Sequence, residues 1–282
     1  MLENFTLNCK GKKMDLSSPK IMAILNITPD SFFDGGKYLD EKAVLVQVEK
    51  MLNDGAGMID IGGMSSRPNA EIISQEEELN RVLPIVAAIH KNFPSAILSI
   101  DTFRSEVAKH TIEEGVSIIN DISAGTEDAQ MFDVAATYNC PLILMHRKGN
   151  AQTMLHQTTY ENILVEMVDY FIDKVKIARQ KNVKDIVLDV GFGFSKTLEQ
   201  NYFLLNNLAV FKQFNLPILA GLSRKSMLYN LLNTTPENAL NATSAVNMIA
   251  LQNGARLLRV HDVKEAVECV KIYNQLMKNK QR

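Results

Sequence analysis

Short apolar runs alternate along the chain with longer stretches in which apolar residues recur every three or four positions. The runs are Ile21–Leu25, Met58–Ile61, Ala96–Ile100, Val116–Ile119, Leu142–Met145, Ile186–Leu188, Pro217–Ala220 and Arg256–Val260. They are continuous rather than alternating, which predicts strands buried on both faces, as in a parallel sheet. The stretches between them predict helices lying on that sheet. Tyr160, Ile163, Leu164, Met167, Val168, Phe171, Ile172 and Val175 make one apolar stripe. Ser74 and Glu77 have the spacing of a capping box just before the stripe Leu79, Val82, Leu83 and Val86. A further stripe is Val263, Ala266, Val267 and Val270, and Gly55, Gly57, Gly115 and Gly254 stand where helices must stop.

Eight strands alternating with helices predict an α/β fold, a single (β/α)₈ barrel. One domain over residues 1–282 is expected, with its core at about 20–275; barrels of about 250 residues fold as one unit. An open doubly wound sheet is the alternative. It calls for a glycine-rich loop after the first strand, where this chain has Asn26-Ile27-Thr28-Pro29.

The chain has 282 residues, of which 46% are hydrophobic and 22% charged, so it can bury a large core and is not disordered by composition. A formal net charge of −2 gives no basic excess for nucleic acid. Cys9, Cys140 and Cys269 are far apart and form no Cys-x-x-Cys, so neither a zinc knuckle nor a redox dithiol is expected. No apolar stretch reaches about 18 residues, and Met1–Lys20 lacks the apolar run of a signal peptide. A cytoplasmic protein with no membrane partner is the expectation.

The chemistry lies in what ends each run. Asn26 ends the first; Asp60 sits within the second, with Gly62-Gly63-Met64-Ser65-Ser66-Arg67-Pro68 after it. Asp101, Asn120-Asp121, His146 and Asp189 end the third to sixth. Gly221-Leu222-Ser223-Arg224-Lys225-Ser226 follows the seventh, and Arg259 and His261 flank the end of the eighth. In a barrel all these ends open on one face.

Several of these residues have plainer readings. Asp121 reads as a helix N-cap, Asp60 as a buried carboxylate paired with a backbone or basic group, and His146 as a core histidine. His90, His110 and His156 read as surface residues, and Arg81, Lys91 and Glu76–Glu78 as a solvated face. Gly191-Phe192-Gly193-Phe194-Ser195-Lys196-Thr197 looks like a phosphate loop but lacks the glycine before Lys-Thr. It reads as a barrel loop in which Phe192 lines a ring pocket.

Two sub-sites follow from charge. Arg259, His261, Arg67 and Asn26 suit phosphate groups. Asp101, Asn120, Asp189 and Lys225 suit a flat heterocycle with amidine-type N–H groups and a carbonyl, and carboxylates there would stabilise positive charge developing on the ring.

At these residues the sequence resembles the dihydropteroate synthases. The shared pieces are Leu25-Asn26-Ile27-Thr28-Pro29-Asp30-Ser31-Phe32, Asp60-Ile61-Gly62-Gly63, Ser99-Ile100-Asp101-Thr102, Ile118-Ile119-Asn120-Asp121, Leu144-Met145-His146, Gly221-Leu222-Ser223-Arg224-Lys225-Ser226 and Arg259-Val260-His261-Asp262. Any one is weak; all seven in order, from about Ile21 to Tyr273, are specific.

The resemblance implies a transferase of folate biosynthesis that joins p-aminobenzoate to 7,8-dihydropterin pyrophosphate and is a target of sulfonamides. It implies Asp101 and Lys225 as catalytic, and Asp101, Asn120, Asp189, Lys225, Met145 and Phe192 as the pterin site. Asn26, Arg67, Arg259 and His261 would hold diphosphate, with Asn26 binding Mg²⁺. Phe33, Ser66, Pro68 and Ser226 would shape the p-aminobenzoate pocket, under loops Ile27–Lys37 and Gly63–Ala70. A homodimer through outer helices is also implied.

The chain departs from the family pattern at Met64 (commonly Glu), Ser66 (Thr), Val190 (Pro) and Arg147-Lys148 after His146. A corrinoid-linked pterin methyltransferase, or a pterin-binding module serving a cobalamin partner, is the alternative. It has no use for Arg67, Arg259 and His261. A silent paralogue would be expected to lose Asp101, Lys225 or Arg259, and a generic sugar-phosphate barrel has no need of Asp189.

Overall fold

The computed structural model describes residues 5–27, 33–34, 38–39, 41–64, 72–150 and 152–279. Eight strands close into a parallel barrel. They are β3 (Lys20–Asn26), β6 (Met58–Gly62), β7 (Leu98–Asp101), β8 (Ile118–Asp121), β9 (Leu142–Met145), β10 (Ile186–Asp189), β11 (Ile218–Ala220) and β12 (Ala255–Val260). Each neighbours the next, and β12 pairs with β3 to seal the ring. All eight apolar runs are strands, displaced by no more than two residues. The polar residue that ends a run is often the last residue of its strand, as with Asn26, Asp101, Asp121 and Asp189.

Helices fill the connections: α1 (Glu41–Asn53), α2 (Gln75–Asn92), α3 (Ser105–Glu113), α4 (Met131–Thr137), α5 (Ile163–Gln180), α6 (Leu198–Asn206), α7 (Ser226–Leu231), α8 (Leu240–Gln252) and α9 (Val263–Asn279). Helix α2 begins where the sequence indicates, with the Ser74 hydroxyl accepting from the Glu77 N–H at 3.1 Å. Helix α5 starts later than its stripe, because the Asn162 side chain caps the Leu164 and Val165 N–H groups. Tyr160 lies before the cap and gives its hydroxyl to the Ser195 carbonyl instead. Ile172 is exposed and drops out of the stripe, while Ile163, Met167 and Phe171 are buried.

One set of strand residues packs outward under the helices, including Ile21, Ala23, Leu25, Ile59, Ile61, Ile100, Ile119, Leu144 and Leu188. The alternate set faces inward. Met22, Met58, Ile118, Ile143, Val187, Leu219 and Leu257 form a separate interior cluster.

An unanticipated hairpin completes that cluster. Strands β1 (Thr6–Cys9) and β2 (Lys12–Asp15) pair antiparallel and add Leu7, Cys9, Met14 and Leu16 to it. Polar bonds tie the hairpin across the bottom of the barrel: Asn8 N to Asp185 Oδ2 at 2.7 Å, Lys10 Nζ to the Ile112 carbonyl at 2.7 Å and Lys12 Nζ to the Pro94 carbonyl at 2.6 Å. The three cysteines are buried and free, and burial pushes the Cys9 thiol up to about 12. Among the described residues, no helix is long and apolar enough to cross a membrane.

Candidate active site

Two to four residues beyond the interior cluster, the same inward alternation turns mostly polar. It carries Asn26, Asp60, Ser99, Asp101, Asn120, Met145, Asp189 and Arg259 to the C-terminal end of the barrel. Strand register sets neighbours side by side: Gly62 opposite Asp101, Asp101 opposite Asn120, and Met145 opposite Asp189.

Arg259 is the hub. Its Nε donates to Asp60 Oδ2 at 2.6 Å, and its Nη2 donates to Asp101 Oδ2 at 2.6 Å. Asn120 Nδ2 donates to the same Asp60 oxygen at 2.9 Å. Asp60 is therefore a buried carboxylate paired with a basic group, as one reading of the sequence had it. It also links two residues assigned to different sub-sites.

Burial raises the Asp101 carboxyl above its ordinary range; Arg259 pulls it back, and Asp60, Glu78 and Asp121 push it further up. Burial acts to lower the Arg259 guanidinium, but Asp60 and Asp101 outweigh it and hold the charge.

On the far side, Asp189 Oδ1 accepts from the Gly191 N–H at 2.8 Å. Burial raises Asp189, against Gly191, Lys225 and Arg259. Gly191 has φ +68°, and a Cβ there would stand 2.1 Å from the His146 carbonyl oxygen, so only glycine lets the chain turn beside Asp189.

Lys225 extends into the same space. Its Nζ donates to the Phe192 carbonyl at 2.5 Å and lies 4.1 Å from the centre of the Phe194 ring. Burial lowers its ammonium to about 8, with Arg259 adding to the effect and Asp189 and Asp101 opposing it. Lys225 precedes the first residue of α7 because the preceding loop is fastened. Arg224 takes a left-handed φ of 54° and grips Asp262 through Nε at 2.9 Å and Nη2 at 2.8 Å. That bidentate pair ties the loop after β11 to the end of β12. At the same rim Ser223 Oγ lies 3.0 Å from His261 Nδ1 and accepts the His261 backbone N–H at 3.1 Å. Ser226 is exposed there as the first residue of α7.

Several expectations need correction. Phe192 does not line an open pocket: it is 1% exposed and packs in the outer core, contributing only its carbonyl to the rim. The ring beneath Lys225 is Phe194, which clusters with Met145, Ile122 and Met154. Glu78 is not on a solvated face; it is fully buried and bonded to Arg104 Nη1 at 2.5 Å. Arg104 Nη2 also holds the Ile73 carbonyl at 2.6 Å, and Arg81 Nη1 holds the Gly63 carbonyl at 3.0 Å.

The plainer reading of His146 stands, but Asp121 is not a helix N-cap: it ends β8 and holds the turn after it, and α4 begins only at Met131 with Gln130 at its N-cap. Asp121 accepts the Ser123 and Gly125 N–H groups at 2.7 and 2.6 Å. His146 is buried, with Nδ1 3.1 Å from Lys196 Nζ, and burial lowers it to about 2. Lys196 spans the carbonyls of His146, Gly191 and Phe194, which gives the glycine-rich loop a structural use for its lysine. The departures after His146 are also paired, Arg147 with Glu127 at 2.8 Å and Lys148 with Glu166 at 2.7 Å.

Ser66, Arg67 and Pro68 lie outside the described residues, as does the side chain of Phe33, whose backbone forms a short antiparallel pair, β4 (Phe33–Asp34) with β5 (Tyr38–Leu39).

The fold and the site define an enzyme of the parallel-barrel class whose mouth sets carboxylates and an amide beside cations. The sequence pattern described as "Pterin binding enzyme" matches residues 22–261. A dihydropteroate synthase of Escherichia coli (strain K12) is 42% identical over 277 residues, covering 98% of each chain. A solved dihydropteroate synthase of Yersinia pestis, in complex with a sulfonamide drug, superposes with a TM-score of 0.91 at 38% identity, covering 97% of this chain and 100% of that one. That of Xanthomonas albilineans, solved with 4-aminobenzoic acid, gives a TM-score of 0.89 at 33% identity over 96% and 98%. The chain belongs to the pterin-binding enzyme family, among the dihydropteroate synthases.

Proposed function

We propose that this transferase condenses (7,8-dihydropterin-6-yl)methyl diphosphate with p-aminobenzoate, giving 7,8-dihydropteroate and diphosphate. The observation that carries the assignment of roles is the Asp60–Arg259–Asp101 network beside Asp189 and Lys225. Asp189, Asp101 and Asn120 offer acceptors to the N–H groups of a pterin, and Lys225 offers a donor to its carbonyl. Met145 and Phe194 supply an apolar wall. Arg259 and His261, with Arg67 and Asn26, would receive the diphosphate.

The exocyclic C–O bond breaks, its electron pair leaves on diphosphate, and the pterin carries the positive charge. The Asp101 carboxylate stabilises that charge at short range in a site shielded from water. The aniline nitrogen then adds to the exocyclic carbon and gives up a proton. Phe33, Ser66, Pro68 and Ser226 are proposed to hold the p-aminobenzoate ring over the pterin.

Magnesium would enter with the diphosphate. No group of three or more Asp, Glu, His or Cys able to hold a metal occurs among the described residues. Asn26 nevertheless fits as one hard oxygen ligand: a Cβ on Gly62 would lie 3.5 Å from Asn26 Oδ1 and 3.6 Å from Asp101 Cβ, so the glycine keeps that corner open. Mg²⁺ keeps several waters and takes phosphate oxygens, so one amide suffices. When bound, it neutralises charge on the leaving group.

A homodimer is proposed through the outer helices, where Phe203 on α6, Leu231 on α7 and Ile249 on α8 are exposed apolar residues. The test of function is direct. Purified protein with Mg²⁺ and both substrates forms dihydropteroate and an equal amount of diphosphate, and a sulfonamide competes with p-aminobenzoate. Appearance of neither product overturns the reading.

A further inference from the structure

We infer that Asp60, which touches no substrate, is a positioning residue that fixes which end of the Asn120 amide faces the ligand. This inference rests on the reading of the mouth as a pterin site. Asp60 is fully buried on β6, level with the upper rim of the barrel interior. Its Oδ2 receives two donors, Arg259 Nε at 2.6 Å and Asn120 Nδ2 at 2.9 Å.

An amide can present either a carbonyl or an NH₂, and nothing in an isolated asparagine decides between them. Here an oxygen that already accepts from a guanidinium decides it. The Asn120 end facing Asp60 must be the donor, because its carbonyl turned that way would meet a carboxylate oxygen acceptor to acceptor. Asn120 Oδ1 is thereby committed to the other side, and among the described residues it accepts no hydrogen bond.

The consequence is selectivity for donors. Asn120 Oδ1 joins Asp101 and Asp189 as a third acceptor group around the ring. The pterin nucleus presents N–H donors at its 2-amino group and N3, and the 7,8-dihydro form adds a third at N8. A ring that offers a lone pair opposite Asn120 leaves two acceptors facing each other, a mismatch worth a factor of about ten or more. Loss of Asp60 frees the amide to rotate and offer NH₂, and that preference disappears.

The experiment measures dissociation constants for three rings: 6-hydroxymethyl-7,8-dihydropterin, its oxidised counterpart without the N8 hydrogen, and the corresponding 7,8-dihydrolumazine, in which a carbonyl replaces the 2-amino group. The proteins are wild type, Asp60→Ala, Asp60→Asn and the exchange Asp60→Asn/Asn120→Asp. Wild type prefers the dihydropterin. In Asp60→Ala at least one of the two preferences shrinks about tenfold or more. Asp60→Asn keeps it, since its carbonyl accepts from both partners. The exchange also keeps it, since the residue-120 carboxylate is an acceptor in any rotation, and it reports even if the alanine variant does not fold.

Preferences unchanged within about threefold in folded Asp60→Ala overturn the role of Asp60. So does a loss in the exchange variant equal to that in the alanine variant. Failure of wild type to bind any of the three rings instead overturns the pterin reading itself.

Discussion

Arg259 Nη2 sits 2.6 Å from Asp101 Oδ2 while its Nε holds Asp60, so one guanidinium faces two buried carboxylates and the group carries an excess of negative charge. Removing either carboxylate takes a charge-assisted hydrogen bond from Arg259, so the effect reaches beyond the residue removed. Asp101→Asn keeps the shape and loses the charge. It is expected to slow the chemical step by about 10²–10³, with pterin affinity changed by less than about tenfold. Single-turnover rates alongside equilibrium binding separate the two, and near-normal turnover would remove Asp101 from its role.

The Lys225 ammonium, lowered to about 8 by burial, should appear in the pH profile. Lowering means that the proton is lost within the working range, so kcat/KM is expected to fall as pH rises through about 8, since this profile reports the free enzyme. Lys225→Arg stays charged throughout. Its activity is lower, because a planar fork replaces a compact ammonium, but its alkaline limb moves beyond pH 9. An alkaline limb unchanged in Lys225→Arg assigns that titration to another group.

Glu78 and Arg104 join α2 to α3 across a 26-residue separation, with the Glu78 side chain fully buried. Glu78→Leu leaves Arg104 without its carboxylate and is expected to cost about 3–5 kcal/mol in denaturant unfolding. Arg104→Met/Glu78→Leu, which removes both charges, should recover much of that loss. A double variant no more stable than the single one would show that the pair is not the source.

Phe171 lies on α5 at the centre of a ring cluster, 5.5 Å from Tyr170, 5.7 Å from Phe211 and 6.1 Å from Phe214, centroid to centroid. It is fully buried, so Phe171→Ala is expected to destabilise the fold by about 3–5 kcal/mol. Calorimetric or denaturant unfolding reads this directly, and kcat of the folded fraction should change little.

The barrel was legible because each strand announces itself in a handful of adjacent residues and ends in a polar one. The ring of polar strand ends that makes the candidate site was legible for the same reason: Asn26, Asp101, Asn120 and Asp189 are last or next to last in their strands. What escaped depends on partners distant in sequence. Nothing near Glu78 says that Arg104 will meet it, and Asp60 and Arg259 are 199 residues apart. Asp60 was legible as a buried, paired carboxylate, and its inward parity with Met58 agrees; which cation it pairs with was not. Phe192 and Phe194 share one parity, and only the turn at Gly191 and Gly193 separates the ring in the core from the ring beneath Lys225. The hairpin was missed because two four-residue strands carry few apolar residues, and those find their partners inside a barrel formed later in the chain.

That hairpin thickens the floor of the barrel. Leu7, Met14 and Leu16 lie against an interior already filled by Met22, Met58, Ile118, Ile143, Val187, Leu219 and Leu257, so the lower pole offers no passage and the mouth is the one doorway. A molecule resting deepest, against Asp101, Asn120 and Asp189, is therefore expected to leave after anything seated above it, an order of release that the solid floor at the opposite pole would impose.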